Sequence, residues 1–91
     1  MSVVTSARTR IANSMKLIKV AAGVLNQTPI DWQNNSANIV AAIEQARAEN
    51  VAVLCLPELC ITGYGCEDAF YSPGICEEAI EVLLELLPET H

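Results

Sequence analysis

No acidic residue precedes Asp31, and beyond Lys19 the only lysine or arginine is Arg47. Eleven Asp and Glu residues lie from Asp31 onward against that one arginine. Nucleic acid, whose phosphates need a basic footprint, is therefore not an expected partner of this part of the chain. The one histidine is His91, at the last position, which leaves Ser-His or Cys-His catalysis without support inside the sequence. The cysteines, Cys55, Cys60, Cys66 and Cys76, show no Cys-x-x-Cys spacing and have no internal histidine beside them, which argues against a metal site. No signal-like apolar core follows the first basic residues, so a cytoplasmic setting with free thiols is expected. No run approaches membrane-spanning length, and no membrane partner is expected. Internal repeats, low-complexity tracts and linkers are missing as well.

What is present is 52% hydrophobic residues over 91 positions, enough for one small domain with a modest core. Residues 1–14 are rich in Ser, Thr and Arg, with no acid and no period. Two readings compete there: an organelle-targeting leader, or a disordered extension ahead of a start at Met15. Fourteen residues is short for a transit peptide, which supports the second.

Leu17 to Leu25 reads as a buried strand, with Gly23 marking a close approach of backbone or helix. Asn26 to Ile30 is a loop, and Asp31 is suited to cap a helix. Trp32, Ser36, Ile39, Ile43 and Ala46 then fall at three- and four-residue steps, and Asn50 is a natural stop. Trp32 is read as a core anchor. Val51 to Leu56 is an uninterrupted apolar run, read as a strand buried on both faces and ended by Pro57. Strand, helix and strand with short connections predict a βαβ unit with parallel strands. A Gly-punctuated loop runs to about Pro73. Residues 75–87 predict a second helix, with Ile80, Leu83, Leu84 and Leu87 as its apolar face, Glu78, Glu81 and Glu85 turned outward, and Pro88 ending it.

Glu58 is thus placed at the carboxyl end of a strand, where ligands sit in open α/β sheets. On position alone a solvated carboxylate is the plainer reading. The neighbouring residues change the balance. Leu56-Pro57-Glu58-Leu59 followed by Thr62-Gly63-Tyr64 resembles the glutamate motif of the carbon–nitrogen hydrolase (nitrilase) superfamily. Gly63-Tyr64-Gly65-Cys66-Glu67-Asp68 resembles one branch of it, the glutaminase domains of glutamine-dependent NAD synthetases. The likeness extends from Lys16 to the end, and Met15 to Val20 is similar to the opening of the family's first strand.

That resemblance implies an α/β fold, the N-terminal βαβ-α portion of a nitrilase-type four-layer αββα sandwich, with residues 15–91 a truncated glutaminase domain. It implies that Glu58 is the general base of a Glu-Lys-Cys triad. The base takes the thiol proton, the thiolate attacks the amide carbon of glutamine, and the lysine stabilises the developing charge. Tyr64 would lie near the glutamine pocket, against the plainer reading of a ring that packs the loop. In the parent, a further domain would use ATP and Mg²⁺ to amidate nicotinate adenine dinucleotide, and the parent would be a homo-oligomer. No cofactor or metal is expected in this stretch itself.

The sequence departs from the family pattern in one respect: no lysine follows Glu58. The family's catalytic Lys and Cys segments are therefore not expected within these residues, and the chain alone is expected to be inactive. Cys55 reads as a small hydrophobe inside the strand, and the resemblance places the nucleophile further along than Cys60. Cys66 matches the branch without an evident chemistry, and Glu67 with Asp68 would favour a helix dipole. Other openings are a different amidase of the superfamily, such as an ω-amidase or carbamoylase, and a non-catalytic module that associates through its leucine-rich helix.

Overall fold

In the computed structural model the residues described are 2–10 and 17–91. The central element is strand β2 (Leu17–Leu25), which carries a partner on each side. On one side Ser2–Arg10 forms β1, antiparallel to it, with Ser2 opposite Leu25 and Arg10 opposite Leu17. On the other side β3 (Val53–Cys55) runs parallel, Val20 opposite Val53 and Ala22 opposite Cys55. Helix α1 (Trp32–Ala48) connects β2 to β3, so the βαβ unit is present.

Residues 2–10 differ from the irregular extension expected there. Periodicity searches for an apolar face, whereas a strand on a free edge is held by its backbone ladder, and Val3, Val4, Thr5 and Thr9 suit that conformation. The expected start at Met15 and the rest of 11–14 lie outside the described residues.

Asp31 caps α1 as its side chain predicts: Oδ1 accepts from the Asn34 N–H at 3.4 Å and Oδ2 from the Asn34 amide at 2.8 Å. At the other end Asn50 takes the left-handed conformation, φ 59°. The Asn50 N–H donates to Arg47 O at 3.1 Å and the Val51 N–H to Ala46 O at 3.0 Å, closing a Schellman motif. The buried stripe of α1 is Asn35, Ile39, Ala42 and Ala46, rotated from the expected stripe through Ser36 and Ile43. Its core partners are Leu25 from β2 and Val82 and Leu86 from the second helix, with Trp32 packed at the margin.

Strand β3 is shorter and less covered than an apolar run predicts. Only Val53 to Cys55 pair, and Val53 and Cys55 are exposed while Leu54 turns toward the core. Leu54 packs against the core while the residues on either side of it remain in solvent; Cys55 is not the buried hydrophobe expected. Gly23 does mark a close approach, but of a side chain: a Cβ there would lie 2.7 Å from Leu56 Cδ2.

A 3₁₀ turn (Glu67–Tyr71) leads into α2 (Pro73–Leu86), and a second 3₁₀ turn (Leu87–Thr90) follows. Proline ends the α-helix by accommodating itself in that tighter turn. The buried residues of α2 are Val82 and Leu86. Ile80, Leu83, Leu84 and Leu87, the face expected inward, are exposed; Glu81 and Glu85 do point outward, while Glu78 is half-buried. Apolar residues occupy more than half of the circumference of this helix, opposite its glutamates, so spacing alone does not say which part of that arc is buried.

Candidate active site

Glu58 opens the turn that follows β3, three residues beyond its last paired position and just after Pro57, and it is exposed. The turn is closed by its own backbone, the Gly63 N–H donating to Leu59 O at 2.7 Å. Leu59 and Gly63 both have positive φ, 56° and 85°. Gly63 has no substitute, because a Cβ there would sit 2.7 Å from the carbonyl oxygen of Thr28 and 2.9 Å from the nitrogen of Pro29. The turn and the β2–α1 loop therefore meet backbone to backbone.

Three further contacts bind the turn from outside. Gln27 Nε2 donates to Cys60 O at 2.6 Å, Asn35 Nδ2 to Ile61 O at 3.1 Å, and the Ile30 N–H to Thr62 O at 2.8 Å. Asn35 also accepts the Thr28 N–H on Oδ1 at 3.0 Å and donates to Thr28 O at 2.8 Å. Gln27 in turn donates to Asn35 O at 3.0 Å and accepts from the Asn38 amide at 2.8 Å. Asn35 is 1% exposed, and no buried side-chain polar atom among the described residues lacks a partner. Gln27 and Asn35 are the residues that sequence reasoning missed. The available signal was an asparagine in phase with Ile39, Ala42 and Ala46, a polar group on a buried stripe.

Tyr64 lies at the far end of the same turn, and its ring is 45% exposed. Glu58 and Tyr64 thus share one braced segment and both reach solvent. Cys66, next along, is buried, with its thiol donating to Gly63 O at 3.3 Å and Thr62 O at 3.4 Å. Its place is to tie the loop back on itself. Glu67 begins the 3₁₀ turn with φ 49°, so the acidic pair stands at a helix start as expected.

Cys60 is half-buried and packs against the core. Burial pushes its thiol up from the ordinary 9.0, partly offset by a backbone hydrogen bond, which is the opposite of what a nucleophile needs. It lines an apolar cleft of about 810 Å³ between α1, β3 and the end of α2, and Glu58 is not among the residues of that cleft. No Asp or Glu side chain lines the cleft. Among the described residues no three His, Cys, Asp or Glu side chains converge to hold a metal ion. Nor is any described helix long and apolar enough to cross a membrane.

The family model described as carbon-nitrogen hydrolase matches residues 19–89, and the chain belongs to that family. Over 73 residues it is 45% identical to the glutamine-dependent NAD(+) synthetase of Arabidopsis thaliana, covering 80% of this chain and 10% of that protein. It is 35% identical over 77 residues to the enzyme of the same name from Saccharomyces cerevisiae, covering 82% of this chain and 11% of that one. The crystal structure of a glutamine-dependent NAD(+) synthetase from Cytophaga hutchinsonii superposes with a TM-score of 0.79 at 53% identity, over 80% of this chain and 13% of that chain. The α/β fold expected from the resemblance is the fold found, and the chain spans about a tenth of the relatives it matches.

Proposed function

We propose that this segment supplies the general base, Glu58, to the glutaminase half of a glutamine-dependent NAD synthetase. The observation that carries this reading is the exposed Glu58 on a braced turn at the carboxyl end of β3, within a stretch matching enzymes of that name. Glu58 accepts the proton of a cysteine thiol, and the thiolate attacks the amide carbon of glutamine. A lysine stabilises the negative charge as it develops, ammonia leaves, and water resolves the thioester. The lysine and the cysteine come from outside these residues, since no lysine follows Glu58 and the resemblance places the nucleophile further along than Cys60. Tyr64, on the same turn, shapes the glutamine pocket. The ammonia serves a separate domain that amidates nicotinate adenine dinucleotide with ATP and Mg²⁺, in a cytoplasmic homo-oligomer. Residues 15–91 are the glutaminase part, and 1–14 precede it as an extension.

The test is Glu58→Gln in the full-length enzyme, assayed with glutamine and with free ammonia. Glutamine-dependent amidation should fall by about two to four orders of magnitude while ammonia still supports synthesis. Full retention of glutamine use would overturn the assignment. A second reading is favoured by one observation, the four exposed apolar side chains Ile80, Leu83, Leu84 and Leu87: a module that associates through α2. The mass in solution of the full-length protein and of a variant with Leu84→Glu separates it from the first.

A further inference from the structure

We infer that Asn35 is a positioning residue for the glutaminase reaction, acting through the turn that carries Glu58; this rests on the proposed role of Glu58. Three successive carbonyls of that turn, those of Cys60, Ile61 and Thr62, are each bound by a different group of one short segment, Gln27, Asn35 and Ile30. The turn's own closing bond, from Gly63 to Leu59, uses none of them. The extra bonds therefore fix where the turn sits and not whether it forms.

Asn35 is the hub of this arrangement. Its side chain spends both amide protons and its oxygen on Thr28 and Ile61, and its backbone carbonyl accepts from Gln27. It occupies a stripe position where the neighbours Ile39, Ala42 and Ala46 are apolar, so its amide is present for the backbone groups that it meets. Ile30 adds an independent sign of constraint. It is a β-branched residue at φ 60°, a strained conformation, and in it the backbone N–H meets Thr62 O at 2.8 Å. A general base must stand within about 2.6–3.2 Å of the proton it takes, and the glutamate side chain supplies no brace of its own to hold that reach.

The experiment is steady-state kinetics on the full-length enzyme, with rates normalised to folded protein and Asn35→Leu measured alone and combined with Glu58→Gln. Asn35→Leu should lower kcat with glutamine about 100-fold, the scale of an ångström's misplacement, and leave ammonia-supported synthesis unchanged. In the Glu58→Gln background the same substitution should cost less than about twofold, because the group it positions is already disabled. Equal losses in both backgrounds would make Asn35 a structural residue only and overturn the inference, as would an unchanged kcat in the single variant. Should Asn35→Leu fail to fold, Gln27→Met, at a half-buried position holding Cys60 O, decides by the same two backgrounds. Glu58→Gln measured alone reports separately on the base: if it keeps glutamine use, the role of Glu58 falls, and the inference with it.

Discussion

Helices α1 and α2 reverse the usual relation between polarity and burial. The largest fully buried side chain among the described residues is polar, Asn35 on α1. Helix α2, the more apolar of the two, leaves Ile80 at 58%, Leu83 at 47% and Leu84 at 59% exposure. The difference lies in what faces each helix. Helix α1 lies between the sheet and α2, and its first turns meet two loops whose backbone groups require hydrogen-bond partners that only a polar side chain can offer. Helix α2 touches the core through Val82 and Leu86, and nothing described here covers its other apolar positions.

Substitutions and a titration sharpen that contrast. The largest loss of stability should come from Asn35→Leu, which makes α1 more hydrophobic and still destabilises it. It leaves the Thr28 N–H, Thr28 O and Ile61 O without their partner, at about 1–3 kcal/mol for each group left unpaired. Urea denaturation measures the sum, and a stability equal to or above the parent's would show that the network carries no energy. Next come two leucines on one helix. Leu86→Ala, at a buried site, should cost about 2–4 kcal/mol. Leu84→Ala should stay within about 0.5 kcal/mol. Equal effects in the same denaturation experiment would mean that a further surface covers α2 in solution.

Asp31→Ala removes the cap of α1 and should cost about 1 kcal/mol, read as a shift in the urea midpoint; α2, whose Ser72 makes no side-chain cap bond, offers the matched control Ser72→Ala with a smaller shift. The smallest effect concerns Cys60, on the border of the core. Its folded pKa is raised, so below the ordinary 9.0 both folded and unfolded thiols are neutral and its contribution is intact. Above that value the unfolded thiol ionises first, and stability is lost as pH rises through the folded pKa. Urea midpoints at about pH 8 and about pH 10 should therefore converge in Cys60→Ala relative to the parent. Alkylation by iodoacetamide should also reach exposed Cys55 and Cys76 before Cys60.

The strand Leu17–Leu25, the Asp31 cap and the Asn50 stop were legible in the sequence because each is decided locally, by apolar continuity, by a carboxylate with a free backbone N–H to accept, and by a residue that tolerates left-handed φ; the burial expected of that strand was not, since Leu17 and Val24 are exposed. Glu58 was singled out for a different reason: a short motif on both sides of it resembles a family, and the chain belongs to that family. Which face of α2 turns inward, how little of Val51 to Leu56 pairs, and the pairing of Ser2–Arg10 with β2 were not. Each depends on what lies opposite, and an apolar residue carries no record of its neighbour. The same holds for Gln27 and Asn35. An amide in a sequence can cap, solvate or brace, and only the approach of Thr28 and of the Cys60–Thr62 carbonyls from distant parts of the chain makes it a brace. Local conformation was determined by the sequence alone; burial, partners and the fixing of the Glu58 turn were decided by tertiary structure, because they arise from groups that meet only after the chain has folded.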